Sequence, residues 1–311
     1  MRLAGTATGA STDRADVGAD VGRAVRQVVV FAVFIAVACG AYTGYKAFGS
    51  AIDDAQTDWP LIGSILPRSD DLNMPPLTDI VTGLGETPRG EEQTFARFLA
   101  GEALFTFREA FVGFAVGVVA GLVIAAVLAR SRWLEEGFLP YVVASQTIPL
   151  IAIAPIIVIW GRKNFDSLPW EWQDWMSVSL IATYLTFFPV AVNGLRGLKS
   201  PSPEDLELLA SYAASWWQTL IRLRFPASLP YLFSAFKIAA TASVVGAIVG
   251  EISAGVAGGL GRRILLEAQR YTTGPERLYG AVLGAAALGI FVFLLIGLAE
   301  RLVLGPNRAP T

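Results

Sequence analysis

Residues Ala110 to Ala129 run about twenty positions without a charged side chain, the length an α-helix needs to cross the hydrocarbon core of a bilayer. A buried helix of a soluble domain is normally shorter and keeps a polar face. The run is not alone. Others extend from Val28 to about Phe48, Phe138 to Trp160, Trp175 to Val192, Tyr231 to Gly250 and Leu278 to Ala299. In lipid every backbone polar group must be satisfied internally, so such runs are helices. The expected fold is all-α, a polytopic membrane protein with about six transmembrane helices. Composition decides against the two soluble domains that 311 residues could fill. Charged residues make up 16%, against about 25% in a soluble domain, and they cluster between the apolar runs.

The residue inventory excludes several chemistries. There is no His, which removes serine-type triads, Cys–His dyads, His-ligated metals and His proton relays. The single cysteine, Cys39, permits no disulfide within the chain and no multi-Cys metal site. A net charge of −2 gives no basic face for nucleic acid. No GxxxxGK[ST] phosphate loop is present, so ATP hydrolysis by this chain alone is not expected. No catalytic residue, metal ligand or bound cofactor is expected.

Residues 1–26 lack an apolar period and read as a disordered tail, cytoplasmic if Lys and Arg mark the inside. The first span, residues 27–48, is longer than the apolar core of a signal peptide, about 7–15 residues, and is read as retained. Residues 49–103 are acidic and rich in Pro and Gly, and read as an extracytoplasmic loop, with Trp59 to Pro67 at the interface. The core is 104–305, followed by a short tail, 306–311. Both termini come out inside: Arg130, Arg132, Arg196, Lys199, Arg222 and Arg224 then share that side. Only 253–277, with Arg262, Arg263, Arg270 and Arg277, disagrees.

Within the spans, Gly113, Gly117 and Gly121 recur every four residues and line one helix face, where another helix can approach closely. The third run carries Pro140, Pro149 and Pro155 with the polar trio Ser145, Gln146 and Thr147. Internal prolines kink a helix, and such breaks occur where protein or a water-filled cavity covers the backbone. The trio therefore lines a translocation path or bonds to neighbouring helices. Lys237 is placed to snorkel. Glu251, at the end of the fifth span, reads either as a gate or substrate-facing group or as a solvated span end.

The inside loop 193–230 carries the most information. Ser202 can cap a helix, Pro203 suits its first position, and Glu204 and Asp205 favour its positive end. Leu206, Leu209, Ala210, Ala213, Trp216 and Trp217 follow at helical spacing, predicting an amphipathic helix over 204–217. Its acidic start would be repelled by anionic headgroups, so a protein groove suits it better than a lipid surface.

This loop resembles the EAA loop of ABC-importer permeases. Glu207 matches the motif's Glu, Ala213 stands where Gly is usual, and Pro226 and Pro230 match the paired prolines, while Leu208 and Leu209 replace the two Ala. The run from Tyr212 to Glu251 is similar to the nitrate/sulfonate/taurine branch, as are FREAFVGFAVGVVAGLVIAAVLARSR and QTIPLIAIAPIIVIWG. The resemblance covers roughly residues 75–305. It implies a type I ABC importer permease fold in the inner (cytoplasmic) membrane of a prokaryote. It also implies a second permease copy forming a homodimer, two ATP-binding subunits holding ATP and Mg, and an extracytoplasmic substrate-binding protein. Glu207, Ala213, Trp216 and Trp217 would then meet the ATPase. Within the branch the chain looks most like carriers of small heterocyclic vitamin precursors, with sulfonate, taurine or nitrate as the other solutes. The competing class is an ATP-independent secondary transporter. It would need intramembrane acids or inverted repeats, which the spans do not show clearly.

Overall fold

The computed structural model describes residues 9–54, 69–87, 92–165 and 171–305. The expected interfacial piece Trp59 to Pro67 lies outside the described residues, as do residues 1–8, 88–91, 166–170 and the tail 306–311. Among the described residues every regular element is helical.

The chain divides into two compact units, residues 1–81 and 82–311. The first contains α1 (Gly9–Asp54), whose Val29–Ala51 portion is long and apolar enough to cross a membrane. The helix continues N-terminally of that portion, through residues read from sequence as a tail. Ala and Arg there are strong helix formers, and a preformed helix spares them the cost of nucleation. Near the C-terminal end of α1, Tyr42 donates to the Pro75 carbonyl at 2.8 Å and Lys46 pairs with Asp71 at 2.6 Å. α2 (Leu77–Gly85) follows.

The second unit is built on α3 (Phe95–Arg130), α6 (Asp174–Leu198), α9 (Phe225–Ala254) and α11 (Pro275–Leu304). α3 starts within the stretch read as loop. α4 (Arg132–Ser145) and α5 (Leu150–Asn164) form a pair bent by 92°. Among the described residues five helices are long and apolar enough to span a membrane, or up to six if the bent pair is one span. α6 is the central element, with α3 along one side and α9 along the other.

Small residues set how closely these helices pack. A Cβ on Gly113 would lie 2.4 Å from Ala182 Cβ, one on Gly117 2.5 Å from Thr186 Cβ, and one on Gly121 2.7 Å from the Phe187 carbonyl oxygen. All three glycines lie on the α3 face against α6. On the other side of α6, a Cβ on Gly246 would lie 2.9 Å from Ala182 Cα. With no hydrophobic drive between helices in lipid, this close van der Waals contact supplies much of the association. Thr183 adds a hydrogen bond across the interface, to the Gly113 carbonyl at 3.2 Å.

Lys237 differs from expectation. Its ammonium pairs with the buried carboxylate of Glu300 on α11, while the side chain stays 25% exposed. A nearby carboxylate makes the buried position tolerable for a cation.

Candidate coupling and gating site

One end of the bundle gathers the loop between α6 and α9. α7 (Pro203–Ser211) starts as its sequence directs: the Ser202 hydroxyl accepts from the Asp205 N–H at 3.1 Å. The helix does not run through to Trp217. It stops at Ser211, and Ala213 adopts φ +54°. α8 (Trp216–Thr219) is a separate start with its own capping box, the Ser215 N–H donating to Gln218 Oε1 at 2.7 Å. The single helix expected over 204–217 is therefore corrected to two. The cause is the Ser215 cap, which competes for the backbone with helix continuation. Ala213 occupies a left-handed position that Gly adopts without penalty. This accounts for the family's Gly there.

α8 runs through a π-turn, Leu220–Arg224, into α9. Glu207, Ala213 and Trp217 are exposed, while Trp216 is half-buried and edge-on to Trp217 at 4.6 Å. The Arg130 guanidinium lies over the Trp216 ring, 5.5 Å from its centre. Together with Leu208 and Tyr212, both exposed, these residues present an acidic and aromatic surface.

The polar trio falls at the break between α4 and α5. The Ser145 hydroxyl donates to the Val142 carbonyl at 2.7 Å and the Thr147 hydroxyl to the Ala144 carbonyl at 2.8 Å. Tyr184 of α6 donates to the Ser145 carbonyl. Both hydroxyls are thus used on the helix's own last turn, where the Ala144 carbonyl also accepts the Thr147 N–H at 3.0 Å. The Gln146 amide nitrogen has no hydrogen-bond partner among the described residues. Of the three prolines, Pro149 marks the break, at the N-cap of α5, while Pro140 and Pro155 lie within helices.

Glu251 lies at the opposite end and is fully buried, not solvated. The chain turns back over it after Gly255, which is left-handed, through Gly258 and Gly259 at φ +102° and +90°. Glu251 accepts the Thr106 hydroxyl at 2.7 Å and the Gly261 N–H at 2.6 Å. Thr106 in turn accepts the Leu260 N–H at 2.8 Å, and Glu102 accepts the Gly259 N–H. The free N–H groups that open α10 (Leu260–Gln269) are therefore capped by side chains of α3 and α9. A Cβ on Gly259 would fall 2.2 Å from the Glu251 carboxyl carbon, so only Gly lets the backbone close on it. Glu109, on the same face of α3, is also buried, and neither of its carboxyl oxygens has a hydrogen-bond partner among the described residues. Sequence reasoning missed Thr106 and Glu109. The signal was present: Glu102, Thr106 and Glu109 are spaced four and three apart, on one helix face.

Among the described residues the architecture is all-helical, with several helices long and apolar enough to cross a membrane. Residues 117–304 match the family of binding-protein-dependent transport system inner membrane components, and the chain belongs to that family of transport permeases. It is the permease subunit of an ABC importer. It is 31% identical over 175 residues to the riboflavin transport system permease protein RibX of Chloroflexus aurantiacus, covering 56% of this chain and 60% of that protein. It is 33% identical over 196 residues to the formylaminopyrimidine transport permease protein ThiX of Halalkalibacterium halodurans, covering 62% and 72%. The fold resembles that of a chain in an inward-facing structure of the MetNI methionine ABC transporter. The TM-score is 0.58 and the identity 18%, with 68% of this chain and 99% of that one covered.

Proposed function

We propose that two copies of this chain pair around a central solute path and that each couples to a separate ATPase subunit through the α7–α8 loop, while an extracytoplasmic protein delivers the solute. The observation that carries this reading is the loop itself. It is an exposed, capped helical segment with an acidic first turn and two tryptophans, continuous at both ends with the spans α6 and α9. A push on it reaches both spans directly. ATP and Mg would be held by the partner, in keeping with the missing phosphate loop. The loop and both termini would face the cytoplasm.

The path runs past the α4–α5 break, where Gln146 offers an amide and Ser145 and Thr147 shape the turn. Glu251 enters this proposal as the group that fixes the outer turn. The solute is a small heterocycle of the kind carried by RibX or ThiX, with sulfonate, taurine or nitrate as the contrast. The charge inside the bundle supports this choice. Lys237 is matched by Glu300 and Arg263 by Glu267 at 2.7 Å, so neither presents an unmatched positive charge to an anion.

The test is reconstitution of the chain with the ATPase that co-purifies with it. Wild type should show ATPase activity stimulated by the binding protein and solute uptake that needs ATP. Glu207→Lys reverses charge on the docking surface and should abolish that stimulation. Wild-type stimulation in the variant would overturn the assignment of the loop. Uptake by this chain alone, without ATP, would establish a secondary carrier instead.

A further inference from the structure

α4 is held differently from its neighbours. It carries no buried residue, whereas α3, α6 and α9 each bury a full stripe. Its two ends are breaks in the backbone. Ser131 is extended, with φ −152° and ψ 136°, and the other end is the 92° bend. Polar ties to the rest of the bundle sit at those same ends. Tyr184 of α6 grips the Ser145 carbonyl at the bend. At the other end Glu135 of α4 pairs with Lys199.

Leu134 and Leu139 of α4 pack against Leu128, Leu195 and Leu198, and beside this contact an open groove of about 1110 Å³ runs between α4 and the bundle. Leu139, Pro140 and Val143 line it from α4, and Leu128, Leu206 and Arg224 from the opposite side. The space is large enough to admit a small solute, for which pockets of roughly 300–1,000 Å³ are usual. Lys199 is the C-cap of α6 and stands just before Ser202, the cap of α7. Arg224 donates to the Leu198 carbonyl at 3.3 Å, which ties the far side of the loop to the same point. Both ends of the loop are therefore anchored beside Lys199.

We infer that α4 is a gate over the inner vestibule of the solute path, and that the Glu135–Lys199 pair is the latch through which the α7–α8 loop moves it. This rests on the reading of the loop as the ATPase contact. The pair is partly open to water, with side chains 21% and 43% exposed. Exposed pairs contribute little to stability, typically under about 1 kcal/mol. Reversing one charge should thus alter the gate while leaving the fold intact.

The experiment uses the purified complex of permease and ATPase in nanodiscs, with Cys39→Ser as background and Val143→Cys as reporter. A water-soluble maleimide reads access to the cavity with and without ATP and vanadate. With Glu135 and Lys199 intact, trapping should change the labelling rate by at least about fivefold, the lower end of ordinary coupling between sites. Lys199→Glu should abolish the nucleotide response while melting temperature and oligomeric state stay unchanged. The double reversal Lys199→Glu with Glu135→Lys should restore it. The latch is overturned if Lys199→Glu still responds, if the double reversal fails to restore the response, or if the single variant changes the oligomeric state, since the pair would then belong to an interface between copies. If no ATPase co-purifies, the importer reading has failed and the gate with it. If the ATPase co-purifies and hydrolyses ATP but labelling never responds to nucleotide, the gate alone has failed.

Discussion

Gly117→Ala places one methyl group in the middle of the close α3–α6 contact. That methyl would sit 2.5 Å from Thr186 Cβ, 2.7 Å from its Cγ2 and 3.1 Å from the Thr183 carbonyl oxygen. Carbon atoms are at ease at 3.5–4.0 Å, so the helices must part by about 1 Å at this level. Thr186 Cβ is fixed to the α6 backbone, and its hydroxyl is held on the Ala182 carbonyl at 2.8 Å, so rotation gives no relief. Overpacking of this kind costs about 1–3 kcal/mol. Better helix propensity returns up to about 1 kcal/mol. The net expectation is a loss of about 1–2 kcal/mol, a fall in melting temperature of roughly 2–8 °C for a unit of this size. Gly289→Ala is the matched control. It makes the same chemical change inside α11, where nothing lies within 4 Å, and should be neutral or stabilise by up to about 1 kcal/mol. Thermal unfolding in detergent, followed by tryptophan fluorescence, compares the two. The reasoning fails if Gly117→Ala melts at or above wild type, or if both variants fall equally.

Three further changes probe the other features. Ala213→Gly removes a left-handed alanine whose conformation costs roughly 1–2 kcal/mol, partly offset by the looser unfolded chain. A stability gain of about 0.5–1 kcal/mol is expected in the same melting assay, and a loss would mean that Ala213 continues the helix. Thr106→Val keeps the shape but leaves the Leu260 N–H and one Glu251 oxygen without a partner, at about 1–3 kcal/mol for an unsatisfied buried group. Amide exchange of α10 should accelerate, and unchanged exchange would refute the capping scheme. Lys237→Met leaves Glu300 buried without its cation. A loss of about 3 kcal/mol is expected, the low end for broken buried pairs because Lys237 keeps some exposure. Lys237→Met with Glu300→Gln should recover most of it, and failure to recover would show that the two residues do not act as a pair.

What the sequence revealed and what it hid follow from the same physics. Lengths and faces are local properties, so the apolar runs, the glycine face of α3 and the Ser202 cap were all legible. The continuity of 204–217 was misread because Ala suits a helix. The signal against it was also local: Ser215 followed three residues later by Gln218 is a capping box, and it lay inside a hydrophobic period that looked unbroken. Three prolines offered three places for the break in the third run. The break coincides with the one whose lost carbonyl contact Tyr184 recovers from another helix. Lys237 and Glu300 are paired across 63 positions, and Glu251 is buried by a turn that only the glycines at 255, 258 and 259 allow. Periodicity assigns a residue to a face but does not name what that face meets. For a chain whose spans bury few charges, the function rests on such partners: which acid meets Lys199, which hydroxyl meets Glu251. A helix like α4, with no buried residue, presents a weak pattern because no face of it is fully enclosed by the bundle. The role proposed for it is legible only once the groove beside it and the Glu135–Lys199 pair at its end are seen together.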